Sequence, residues 1–106
     1  MAADCCQVTT TVATRAEAER IAATLVEERL AACVQIAGPI ASVYRWKGAV
    51  ENAPEWYCYC KTTRARYPAL EARLRALHPY ETPEIIAVPI VAGLSAYLAW
   101  IEDSVR

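Results

Sequence analysis

The sequence predicts an α+β domain whose elements run β-α-β-β-α-β with one further helix at the C-terminus. Three observations carry this. Two stretches with helical apolar spacing, around Ala18–Ala32 and Tyr67–Leu77, alternate with runs rich in β-branched and aromatic residues. Two of those runs, residues 33–46 and 50–62, are separated by little more than Lys47-Gly48 and form one long hairpin. With 106 residues, 56% hydrophobic and 22% charged, the chain has the composition of a single folded domain, residues 1–106. Strand-helix-strand, strand-helix-strand in this order is the split β-α-β unit of a ferredoxin-like fold.

Residues 1–6 are expected to be a flexible N-terminus, and residues 7–13, rich in Val and Thr, the first strand. Thr14-Arg15-Ala16-Glu17 is a capping box: the Thr14 hydroxyl accepts from the Glu17 amide while the Glu17 carboxylate reaches back. Behind it, Ala18, Ile21, Ala22, Leu25 and Ala32 form an apolar stripe, with Glu19, Arg20, Glu27 and Glu28 mainly on the wet side. The long hairpin follows, bent at Gly38-Pro39 because proline lacks a ladder donor. On its second arm Glu55, Tyr57, Tyr59 and Lys61 share one face, and Trp56, Cys58 and Cys60 the other. Both faces are bulky, so a second subunit is expected against one of them. Tyr67, Leu70, Leu74 and Leu77 line the second helix, which Pro68 helps to start and His78-Pro79 stops. Residues 85–90 read as an apolar strand buried on both faces, and residues 94–103 as a short closing helix.

Net charge is −1 with only two lysines, Lys47 and Lys61, and no basic run, which argues against a nucleic-acid partner. The N-terminus lacks the basic and apolar regions of a signal peptide. Residues 85–101 are uncharged over 17 positions, but Pro89, Gly93 and Ser95 divide them into strand, turn and helix. The expectation is a cytoplasmic protein without a membrane partner. The five cysteines match no zinc framework. Cys58 and Cys60 point to one face of a strand, where they would either share a soft metal or fill the core.

No glycine-rich phosphate loop, nucleophile elbow or His-Glu-x-x-His motif is present, so the chain reads as non-catalytic. His78 is the sole histidine. It would either cap the second helix or, with symmetry-related copies, contribute to a metal site. Lys61 ends a strand lined with tyrosines; its candidate partners are Glu81 and Glu84, and its alternative is to reach water at the strand end. The Tyr44-Arg45-Trp46 corner reads as packing or interface.

Five strings then stand in register: Leu30-Ala31-Ala32-Cys33, Ser42-Val43-Tyr44-Arg45-Trp46-Lys47-Gly48, Lys61-Thr62, His78-Pro79-Tyr80-Glu81-Thr82-Pro83-Glu84-Ile85-Ile86, and Tyr97-Leu98-Ala99-Trp100-Ile101. Over residues 8–101 the chain resembles the CutA family of divalent-cation tolerance proteins. The resemblance implies a ferredoxin-like subunit and a homotrimer whose long hairpins pair between subunits, similar to the PII-type signalling proteins. It also implies an association with copper or another divalent cation, with no cofactor required for folding. Copper-binding members carry a cysteine at the end of the first strand and paired histidines before Pro-Tyr. Here Thr10 and Leu77 stand at those positions and His78 remains. By resemblance, the metal candidates are His78 and Cys33, and the intersubunit-cleft candidates are Lys61, Tyr80, Glu81, Glu84, Tyr44 and Trp46. The function expected is trimeric, non-catalytic metal tolerance. The alternative is a PII-like sensor or scaffold whose cleft takes a small anionic ligand or a protein partner.

Overall fold

Strand β1 (Cys5–Val12) is the centre from which the sheet is built, in a computed structural model that describes residues 4–106. Its period-2 alternation sends Cys6, Val8, Thr10 and Val12 under the helices and leaves Gln7 and Thr9 half-buried on the opposite face. Cys5 and Cys6, expected in a flexible terminus, are 1% and 2% exposed. The reason is that β1 is flanked on both sides, Cys6 pairing with Thr62 on one neighbour and Pro89 on the other. Residues 1–3 of that expected segment lie outside the described residues.

Helix α1 (Arg15–Glu27) starts at the predicted cap: the Glu17 N–H donates to Thr14 Oγ1 at 3.2 Å, and that hydroxyl donates to Glu17 Oε1 at 3.0 Å. It buries Ala18, Ile21 and Leu25. Strands β2 (Cys33–Trp46) and β3 (Ala49–Thr63) form the long hairpin. Its turn has φ of 48° at Lys47 and 83° at Gly48, the doubly left-handed geometry that matches strand twist. Pairing shifts register between Ala37 and Ile40, at the predicted Gly38-Pro39 bend. Gly38 is needed for space as well, since a Cβ there would lie 2.7 Å from the Trp56 ring. Helix α2 (Tyr67–Leu77), with Pro68 in its first turn, buries Leu70 and Leu74.

The sheet is antiparallel in the order β2-β3-β1-β4, where β4 is Ile86–Pro89. With α1 and α2 on one face and α3 (Ser95–Ser104) closing the chain, this is the predicted ferredoxin-like fold with its extra C-terminal helix and long hairpin. One expectation is corrected. Residues 85–90 do not form a strand buried on both sides; β4 is four residues long and lies at the sheet edge, with Ile86 54% and Val88 49% exposed. Its continuous apolar run reflects a surface that this single chain leaves uncovered.

Two cores result. The larger lies between the sheet and α1 and α2, around Val8, Ile21, Leu25, Cys58, Cys60, Leu70 and Leu74. The smaller packs Leu98, Ile101 and Val105 against Cys5 and Ala32 at one end of the other sheet face. The rest of that face is open, and Gln35, Tyr59, Thr9 and Ile86 form a row across it by strand register. Beyond the Val12–Trp56 pair the hairpin continues with no third strand beside it, stretching the subunit to 47 × 25 × 22 Å. Among the described residues no helix is long and apolar enough to cross a membrane.

Candidate functional site

The loop after α2 folds back over the open sheet face toward the projecting hairpin, and between them lies a cavity of about 740 Å³. Of the predicted cleft residues, Tyr44, Trp46, Tyr80, Glu81 and Glu84 line it. Glu55, Tyr57 and Arg45 complete its polar and aromatic wall. Glu55 was not among the predicted site residues, although a carboxylate inside the aromatic run Glu55-Trp56-Tyr57-Cys58-Tyr59 was the signal for it. It is 8% exposed, and its Oε2 accepts a 2.7 Å hydrogen bond from the Tyr80 hydroxyl. Burial, and then this bond to a carboxylate, push the Tyr80 phenol well above its ordinary range. Burial and the charge of Glu55 raise the Glu84 carboxyl.

His78 lies beneath this loop, with its ring turned toward β1. Its backbone N–H caps α2 by donating to the Leu74 carbonyl at 2.9 Å. Its Nδ1 accepts from the Tyr80 N–H at 3.2 Å, which puts the ring proton on Nε2. That proton meets the Thr11 carbonyl at 2.9 Å and Thr10 Oγ1 at 3.0 Å. Both nitrogens are therefore used by the chain itself, and the ring ties the loop to β1. The capping position was legible in sequence; the clamp was not.

Within one subunit Lys61 does not pair with Glu81 or Glu84; a pairing with Glu81 of a neighbouring subunit, the other arrangement expected, involves contacts between copies. The Lys61 Nζ donates to Gln35 Oε1 at 2.6 Å on the open sheet face, while Glu81 lies 3.8 Å from Lys47. Strand register explains this, because Lys61 stands beside Cys33 and Gln7, at the end of the sheet away from the hairpin turn. Cys33 Sγ lies 3.6 Å from the Tyr97 hydroxyl. Cys58 and Cys60 are fully buried core thiols, and desolvation drives them up to about 11 and about 12. All five cysteines are free. Among the described residues no group of three or more His, Cys, Asp or Glu side chains is placed to hold one metal ion.

Burial holds the His78 imidazole below its ordinary pKa, against the opposing pull of its hydrogen bond to Thr11. Above pH ~6.5 the ring is neutral both folded and unfolded and contributes nothing to pH dependence. As pH falls through ~6.5 the unfolded chain takes up a proton that the native ring refuses, so stability falls until the depressed folded pKa is passed. Urea unfolding at pH 7.5, 6.5 and 5.5 is expected to show that decline, and the decline is expected to be absent in His78→Gln. An identical pH profile in the variant would contradict the clamp.

Comparison with known proteins places this geometry. The family model of the CutA1 divalent ion tolerance protein matches residues 6–104. The divalent-cation tolerance protein CutA of Thermus thermophilus is 47% identical over 94 residues, 89% of this chain and 91% of that one. Human protein CutA is 44% identical over 86 residues, 81% of this chain but 48% of that one. The crystal structure of CutA from Xylella fastidiosa superposes with a TM-score of 0.95 at 40% identity, covering 98% of this chain and all of that one (100%). The T. thermophilus structure superposes at 0.93 and 44% identity, covering 96% of this chain and 99% of that one. Fold, hairpin and loop agree with the strings read from sequence: this chain belongs to the CutA1 divalent ion tolerance protein family.

Proposed function

We propose that the chain is a non-catalytic divalent-cation tolerance protein that acts as a homotrimer. Family membership supports the tolerance role. The observation that supports the trimer is the apolar surface one subunit leaves bare: Val43 72%, Val50 63%, Ile86 54% and Val88 49% exposed, on the hairpin and along the sheet edge. Surplus of this kind on so small a domain calls for a partner. Three copies meeting across the open sheet faces, with hairpins laid on neighbours, would cover it.

One subunit offers no complete soft-ligand copper site among the described residues: both His78 nitrogens are hydrogen-bonded, Cys58 and Cys60 are sealed in the core, and Cys33 stands half-exposed beside Tyr97 with no second ligand grouped with it. On this reading copper or another divalent ion meets ligands that several subunits bring together. The large cavity supports a second reading, in which the loop and hairpin cradle a small ligand and the protein serves as a sensor. The tolerance function is tested by growth at raised copper in a bacterium deleted for its own protein of this family. Expression of this chain is expected to restore growth. A folded, expressed chain that leaves copper sensitivity unchanged would contradict it.

A further inference from the structure

We propose that the root of the hairpin arm is gripped from both faces, by α1 through Trp56 and by the loop after α2 through Glu55, and that this double brace aims the arm before subunits meet. The inference deepens the trimer reading above and rests on it for the purpose of the arm.

The need for a brace arises in the sheet. β1 ends at Val12, opposite Trp56, and beyond that pair residues 40–46 and 49–55 run on as a two-stranded ribbon. Such a ribbon is marginally stable by itself in water. At the same point Gly38 and Pro39 together oppose Trp56 alone, a two-against-one bulge that bends the strand and strengthens its twist. A bend without support would be a hinge. Glu55 and Trp56 are consecutive in β3, so they point to opposite faces at this bend.

On the helix side, the Trp56 ring packs against the larger core and lies so close to Gly38 that a Cβ there would come within 2.7 Å of it. The guanidinium carbon of Arg15, the first residue of α1, stands 5.7 Å from the ring centroid. On the opposite side a hydrogen-bonded strut crosses from the end of β1. The His78 ring donates from Nε2 to the Thr11 carbonyl at 2.9 Å and accepts the Tyr80 N–H on Nδ1 at 3.2 Å. Tyr80 then donates its hydroxyl to Glu55 Oε2 at 2.7 Å. The His78 and Tyr80 rings pack with centroids 4.8 Å apart, which stiffens the strut. Farther out, the Lys47–Glu81 pair at 3.8 Å is exposed on both sides and adds little. Both grips start within residues 11–15, where β1 gives way to α1, and close on adjacent residues of β3. An arm fixed in this way loses less freedom on association than a loose one, and that difference appears as affinity.

The test reads the direction of the arm and the strength of assembly separately. Residual dipolar couplings are measured on the full chain carrying Tyr59→Glu, a substitution chosen to keep subunits apart. The amides of residues 40–55 are expected to fit the alignment of β1 and the helices. Adding Trp56→Ala or Tyr80→Phe is expected to scale down the couplings of the arm while those of the core stay fixed. Sedimentation equilibrium with Tyr59 retained is expected to show Trp56→Ala dissociating at about tenfold or higher concentration than wild type, although that side chain faces α1 and not the open sheet face. Should Trp56→Ala fold poorly, Tyr80→Phe removes a single oxygen and carries both measurements. An arm whose couplings ignore both substitutions, or that is already loose without either, would overturn the proposal. So would a trimer that keeps wild-type strength although its arms have loosened. A wild-type monomer whose arm loosens in Trp56→Ala would sink the trimer and leave the brace in place.

Discussion

His78→Ala is expected to destabilise the subunit by about 1–3 kcal/mol for each buried group it strands, while leaving the affinity of the folded chain for Cu²⁺ and Zn²⁺ unchanged. The ring is 8% exposed and serves three partners: the Tyr80 N–H, the Thr11 carbonyl and the Thr10 hydroxyl. Alanine removes all three bonds and opens a void beneath the loop. Binding a metal through either nitrogen in the wild type would first break one of these bonds, a penalty that a free surface histidine does not meet. Urea unfolding measures the first half of the expectation, and calorimetry with each ion the second. A variant of full stability that has lost its Cu²⁺ affinity would return the imidazole to the role of ligand.

Tyr59→Glu is expected to convert the proposed trimer to monomers and to remove the concentration dependence of unfolding. Tyr59 is half-buried at the middle of the open sheet face, opposite Gln35 and Thr9 and stacked on Tyr57 with centroids 5.1 Å apart. In an isolated subunit a glutamate there keeps contact with water and the strand pairing survives. Between packed sheet faces it would bury an uncompensated carboxylate in every subunit, at a penalty of several kcal/mol per ion. Association stabilises the native state by mass action, so the wild-type unfolding midpoint is expected to rise with protein concentration and that of the variant to stay fixed. A Tyr59→Glu protein that still sediments as wild type would place the interface elsewhere.

Local signals in this chain were read correctly because they depend on neighbours in sequence. The Thr14 cap, the Gly38-Pro39 shift and the Lys47-Gly48 turn each rest on a few adjacent residues and appear where expected. The strand-face parity of residues 55–61 also held, and it put Cys58 and Cys60 in the core. What failed needed distances between elements. Nothing local says that β4 is outermost, so an apolar run there resembled a central strand. Nor does chain order reveal that within one subunit Lys61 lies at the end of the sheet opposite the loop bearing Glu81, or that Tyr80 reaches back 25 positions to Glu55. Cys5 and Cys6 are ordered by strands that arrive much later in the chain.

Sedimentation equilibrium of the full-length wild-type chain at micromolar concentration decides whether the bare sheet face and hairpin are an interface between copies. The expected mass is three times the 11.7 kDa of the subunit, with association weakening only on strong dilution or in denaturant. A single folded species of 11.7 kDa across the concentration range would contradict the account.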